Sequence, residues 1–361
     1  MGTKLLAIAA AGLLVTGLVA CSDTGGATPN NDSEQTGKIA VLLPDSKSSP
    51  RWETADRVFF ELAFEAAGLT TDDYIISNAE GDPSVQSSQA DQAITDGATV
   101  LVLVNLDNGS GSAIIDNAQS QGVTVIDYDR LTVGGNADYY VSGDATAAGV
   151  LQGEGLVEDL KGVDTPRVAI LNGAPTDSFA ADLAIGYESV LNPLFDSGEF
   201  EKVDQQSVKD WDGATALTIF QQMLTAAGND IDGAIAANDT LANAIVSALK
   251  SQALEMIPLS GLDGTIPALQ HILAGEQTFT VYFSYGTQAK LAADLAVELL
   301  NGDEPTGITA EVDNDGRKVP AMMIEPVTVR ADNIEDTVIA DGLITWDDIC
   351  VGEYAQYCPV G

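Results

Sequence analysis

The chain has 361 residues, enough for two domains of ordinary size, and at 45% hydrophobic residues it can bury sizeable cores. Its 54 acidic residues against 15 basic ones give a net charge of −39, which repels phosphate backbones and excludes sequence-independent nucleic-acid binding. One histidine and three cysteines leave few candidates for tetrahedral zinc or histidine base chemistry, and no cofactor is expected.

Residues 1–20 carry Lys4 and then an apolar run that is short for a membrane span, so they are expected to be a processing segment. The run ends in Leu18-Val19-Ala20-Cys21, which resembles a bacterial lipoprotein signal. That resemblance implies a lipid on Cys21 and an extracytoplasmic, lipid-anchored chain; an ordinary secretory peptide with an incidental cysteine is the alternative. Residues 21–37 are polar and rich in Gly, Asn and Ser, and are expected to be a flexible tether. Outside the cytoplasm Cys350 and Cys358 are expected to form a small-loop disulfide pinning the tail, with free thiols as the alternative.

From Lys38 onward short apolar runs alternate with amphipathic stretches. Strands are expected at 39–43, 74–77, 100–104 and 123–126, with helices at 51–67, 84–95 and 112–121 between them. After 139–142 the rhythm restarts: helix 145–160, strand 168–171, helix 180–191, strand 202–206, helix 213–227, strand 233–236 and helix 241–251. A short strand near 258–260, helix 266–274, strand 278–283, helix 287–300 and a strand over 319–329 complete it. Repeated βαβ units with continuously apolar strands mean parallel sheets covered by helices. Two such series indicate an α/β protein of two doubly wound parallel-sheet lobes; a (β/α)₈ barrel would leave several strands unused.

In such folds ligands bind beyond the carboxyl ends of strands. Those ends carry Ser48-Ser-Pro-Arg-Trp52, Asp127-Tyr-Asp-Arg130, Asn172-Gly-Ala-Pro-Thr-Asp177, Asn238-Asp239 and Ser260-Gly-Leu-Asp263, and Asp210-Trp-Asp-Gly213 precedes a helix. Tyr-Asp-Arg at 128–130, Asn-Asp at 238–239, Ser-Gly-Leu-Asp at 260–263 and Gln-Thr-Phe-Thr-Val-Tyr at 277–282 resemble the periplasmic sugar-binding proteins of ABC importers. Within that family the chain is most similar to the xylose-binding branch of the ribose/galactose group, from about residue 38 to 342.

The resemblance implies a type I periplasmic binding protein, with lobes joined by a three-stranded hinge that closes on one monosaccharide. Residues 38–143 and 285–318 would form the N-terminal lobe, 144–284 and 319–361 the C-terminal one. Carried over by position, Arg51 and Arg130 would donate to sugar hydroxyls, Asp129 would accept, and Asn238 and Asp263 would bind from the other lobe. Trp52 and Trp211 would cover the ring faces, and Asp177, Phe179 and Phe283 would complete the ligand set. Chemistry favours the same residue types, because charged groups suit a hydroxyl edge and indoles suit C–H faces. Each has a plainer alternative: Trp packing, an Arg130–Asp129 ion pair, and N-capping by Asn238 or Asp263.

Two positions depart from the xylose branch: Phe283 where a Lys is usual, and Phe179 where an amide is usual. The expected ligand is therefore not plain xylose but a related pentose, a hexose or a deoxysugar. Delivery to an ABC permease by a monomeric, non-catalytic receptor is the expected role. Chemotactic or kinase-linked sugar sensing is an alternative. A cleft glycosidase using Asp129, Asp177 and Asp263 is a more distant one, and a repressor of similar fold is disfavoured for want of a basic helix-turn-helix. Asp313-Asn-Asp-Gly316 is expected to be a turn rather than a calcium loop, since position twelve is Ile324. His271 is expected to be structural.

Overall fold

The computed structural model describes residues 37–359. The expected signal segment at 1–20, the lipidation site at Cys21 and nearly all of the tether lie outside the described residues.

The first half runs β1 (Lys38–Leu43), α1 (Arg57–Ala66), β2 (Tyr74–Asn78), α2 (Pro83–Thr95), β3 (Ala98–Leu103), α3 (Asn108–Ser120), β4 (Thr124–Tyr128) and β5 (Tyr139–Gly143). The second contains α4 (Ala145–Asp159), β6 (Arg167–Asn172), α5 (Ser178–Ser197), β7 (Glu201–Ser207), α6 (Gly213–Ala227), β8 (Gly233–Ala236), α7 (Asp239–Ser251), α8 (Ile266–Ala274) and β9 (Thr280–Tyr282). Helix α9 (Tyr285–Asn301), β10 (Ala310–Asn314), β11 (Arg317–Ile324), β12 (Val327–Val329) and α10 (Trp346–Ile349) follow.

Seven strands form the first sheet in the order β10-β11-β5-β4-β3-β1-β2, parallel except for the β10–β11 hairpin at its edge. Strand alternation explains why β1 is apolar throughout. Ile39, Val41 and Leu43 pack with Phe60 and Phe64 of α1 and the alanine face of α9, while Ala40 and Leu42 pack with α2 and α3 on the other side. The second sheet pairs β7-β6-β8 in parallel and is extended by single bridges from Ala234 to Leu259 and from Leu262 to Val281; β9 pairs antiparallel with β12. The architecture is the two-lobed, doubly wound α/β fold expected.

The chain passes between the lobes three times, after Gly143, around residues 283–284 and around residues 325–326. The third passage corrects the expected boundary. Residues 319–329 are not one strand: β11 pairs with β5 in the first sheet as far as the Ile324–Gly143 partnership, and β12 belongs with β9. Glu325-Pro326 separates them, and proline cannot donate to a ladder, so strand and lobe both change there rather than at 319. Residues 258–260 likewise make one isolated bridge through Leu259 rather than a strand.

The expected first helix also begins differently. Its opening turn, Trp52–Asp56, is π-helical before α1 continues. A π turn places residues five apart over one another, and Arg51 thereby meets Asp56. Asp315 and Gly316 both take positive φ in the tight β10–β11 turn, as a two-residue hairpin connection requires, so this segment is the expected turn. Cys350 and Cys358 are joined in a disulfide. No described helix is long and apolar enough to cross a membrane.

Candidate functional site

Nine of the ten ligand-binding candidates line one cavity between the lobes: Arg51, Trp52, Asp129, Arg130, Asp177, Phe179, Trp211, Asn238 and Asp263, together with Ser48, Ser49 and Leu262. These residues come from the loop after β1, the end of β4, the loops before α5, α6 and α7, and the segment after Leu259. The parallel topology therefore delivers strand-end residues of both sheets to one crevice. Phe283 is the exception. Its ring is fully buried at the second crossing, beside Gly143 and 6.1 Å from the Phe179 ring, and it does not line the cavity. The ring fills the space that Gly143 leaves open at the first crossing.

Arg51 is held on three sides. Its Nε and Nη2 donate to the two carboxylate oxygens of Asp56 at 2.8 Å each, and Nη1 donates to Asp129 Oδ2 at 3.0 Å. Its guanidinium carbon lies 3.7 Å from the Tyr285 ring centroid and 4.3 Å from that of Trp52. Burial works against the charge, but Asp56, Asp129 and Tyr285 outweigh it and hold the guanidinium firmly protonated. Tyr128 donates to Asp56 at 2.6 Å, so the clamp is itself braced.

Arg130 does not pair with Asp129, which corrects that alternative. Its Nε lies 3.0 Å from Asp177 Oδ2 across the cleft, and Nη1 donates to the Asn105 carbonyl. Asp177 caps α5 through the Phe179 amide and also accepts from Trp211 Nε1 at 3.0 Å. Trp211 sits at φ 53°, and its indole lies so close to Gly173 that a Cβ there would fall 2.1 Å from the ring. Glycine is needed to let the indole lie against the backbone. Trp52 Nε1 donates to Ser48 Oγ at 3.0 Å. Both indoles thus have their polar edges satisfied and keep apolar surface for the cavity.

Asn238 caps α7 through Leu241, as expected, while its Nδ2 donates to the Ser48 carbonyl on the opposite lobe at 3.0 Å. Asp263 caps nothing; Thr265 caps α8 instead. Asp263 has a strained φ of 116° and accepts from Tyr285 Oη at 3.1 Å, and its Oδ2 is buried without a partner. Desolvation raises its pKa to about 7, opposed by Arg51 and by the Ser49 hydroxyl beside it, with Asp239 and Asp129 adding to the rise. Asp127 and Asp239, just outside the cavity, are pushed to about 7 and about 6 by burial. The site is therefore a set of fixed donors, one unpartnered acceptor and two indoles, drawn from both lobes.

Sequence reasoning missed Asp56 and Tyr285. Asp56 follows from the π turn, which side-chain periodicity in an expected α-helix obscures. Tyr285 sits at the start of α9, where an aromatic reads as ordinary core. His271 accounts for itself structurally, 2.6 Å from Glu276, which also pairs with Lys250.

Residues 39–304 match the family model described as a periplasmic binding protein domain. The chain is 34% identical over 306 residues to the D-xylose-binding periplasmic protein of Escherichia coli (strain K12), covering 84% of this chain and 90% of that one. It is 30% identical over 332 residues to the multiple sugar-binding periplasmic receptor of Rhizobium radiobacter, covering 87% and 92%. Among solved structures, a carbohydrate transporter solute binding protein from Chloroflexus aurantiacus in complex with D-glucose superposes with a TM-score of 0.79 at 27% identity, covering 86% of this chain and 97% of that one. These relatives are solute-binding proteins, and the glycosidase alternative goes no further. The chain belongs to the periplasmic binding protein family, in its two-lobed type I form, with sugar-binding proteins as its relatives.

Proposed function

We propose that this protein captures a monosaccharide between its lobes and delivers it to an ABC permease, anchored outside the cell membrane by a lipid on Cys21 and working as a monomer. The observation that carries the reading is the crevice itself: Arg51, Asp129, Arg130, Asp263, Trp52 and Trp211 converge on one cavity from both lobes. Asp263 Oδ2 is an acceptor already desolvated and unpaired, and a sugar hydroxyl supplies the donor it lacks. Ligand contacts from both lobes exist together only when the lobes are shut, so a sugar shifts the population toward the closed form.

The class proposed is a xylose-like pentose, a hexose or a deoxysugar. Phe283 does not line the cavity, so the preference against plain xylose rests on Phe179, which does. The multiple-sugar and glucose-bound relatives support a ligand range reaching to hexoses.

A thermal-shift panel of pentoses, hexoses and deoxysugars, followed by calorimetry, tests the reading. One sugar class should raise the midpoint by mass action. Arg130→Ala should weaken that sugar by roughly ten- to a hundredfold, the range for loss of a charge-assisted hydrogen bond. A panel in which no sugar shifts the midpoint sinks the proposal. Globomycin-sensitive processing and loss of membrane retention in Cys21→Ala test the anchor separately.

A further inference from the structure

The C-terminal tail is hydrogen-bonded to the second crossing through Asp341. Asp341 accepts from Ser284 Oγ at 2.8 Å through Oδ1 and from the Tyr282 hydroxyl through Oδ2. Tyr282 is the last residue of β9 in the second lobe, and Ser284 is the N-cap of α9, whose alanine face packs on the first sheet. One carboxylate therefore ties the two sides of a crossing together, with Phe283 between them.

The next residue, Tyr285, is where the crossing meets the cleft. Its ring lies edge-on to Tyr282 at 5.1 Å, carries the Arg51 guanidinium at 3.7 Å, and its hydroxyl donates to Asp263. A short chain of contacts thus runs from the tail to two residues of the sugar cavity, one on each lobe. On the far side of Arg51 and Asp263, which line both, lies a second cavity of about 320 Å³ whose walls include Phe59, Tyr285, Val338 and Ile344, with Asp341 at its border. That space leaves the crossing less tightly packed on the tail side than at Phe283, and there the hydrogen bonds to Asp341 hold it.

We infer that Asp341 is a positioning residue for solute recognition: it staples the second crossing so that Tyr285 holds Arg51 and Asp263 in register across the cleft. The inference rests on the sugar-binding reading for its effect on affinity, but not for its effect on the crossing.

The test compares the full-length wild type with Asp341→Asn, Tyr282→Phe and the double variant, with D-xylose and D-glucose as probes. Hydrogen exchange of the sugar-free proteins reports on the crossing directly. Asp341→Asn should speed exchange over residues 283–287 and raise the Kd of whichever probe binds wild type by about tenfold, the loss of one charge-assisted bond. The double variant should be no worse than the more damaging single, because both act through one contact. A merely structural role would lower the midpoint of unfolding and leave Kd unchanged. Kd within twofold of wild type, or unchanged exchange at 283–287, overturns the inference. Should Asp341→Asn fail to fold, Tyr282→Phe alone carries the same two readouts. If wild type binds neither probe, the panel sugar that raises the midpoint takes their place; if none does, the sugar reading falls and the exchange result alone decides the staple.

Discussion

Asp263 combines a strained backbone, a desolvated carboxyl and an oxygen with nothing to bond, and its protonation is where solution pH should reach the site. Its folded pKa of about 7 lies above the unfolded value, so its stability contribution is fully present below about 4 and is lost as pH rises through 7. Asp127 and Asp239 act in the same direction. Sugar-free Asp263→Asn should therefore gain thermal midpoint relative to wild type as pH goes from 5 to 8. Sugar affinity should move the other way and rise across that window in wild type, because the carboxylate is the stronger acceptor, while the variant stays flat. Calorimetry at four pH values checks both trends. Trp211→Ala should cost about tenfold in affinity, and Gly173→Ala should reproduce part of that loss by displacing the indole, read as a Kd ratio between the two variants. Nine cavity residues were legible in the sequence because strand ends collect function and charged or aromatic side chains are conspicuous there. Phe283 misled because a hinge, like a ligand pocket, selects for large apolar rings, and sequence position alone does not separate them.

At the scale of elements, α4 and α5 approach at backbone contact. A Cβ at Gly149 would meet the Leu183 carbonyl oxygen at 2.0 Å, and one at Gly186 would meet the Thr146 carbonyl oxygen at 2.2 Å. Carbonyls cannot rotate away as side chains can, so Gly149→Ala and Gly186→Ala should each destabilise by roughly 1–3 kcal/mol through overpacking. Urea unfolding without sugar measures this, and a Kd unchanged in the folded fraction would separate it from effects on the cleft. The order of strands and helices could be read from periodicity because buried parallel strands are continuously apolar. What escaped was the division of 319–329 between two sheets. Alternation and β-branching report that a segment is extended; they say nothing of which neighbour it bonds. Pro326 was the one local clue, and it marks a break without naming the partners on either side.

At the scale of the molecule, fifty-four acids against fifteen bases make self-repulsion a general load on the fold. Raising salt from about 0.01 M to about 1 M shortens the screening length from roughly 30 Å to 3 Å, so the midpoint of unfolding should climb steeply with sodium chloride. A flat salt response would show that the acids are too well spaced to matter. The lobes also bond directly, through Asn238 and Thr240 to the Ser48 carbonyl and through Ser178 to the Leu131 carbonyl. Those contacts stabilise closure on top of whatever a ligand adds.

Gly143 and Phe283 stand at different crossings, yet a Cβ on the glycine would fall 2.3 Å from the phenyl ring. Two passages far apart in the chain are thus mated like a socket and its ball. Any enlargement at 143 must be matched by a trimming at 283, so the pair can change only in concert, and a bulkier residue grafted at either end alone would wedge the joint that the molecule bends on.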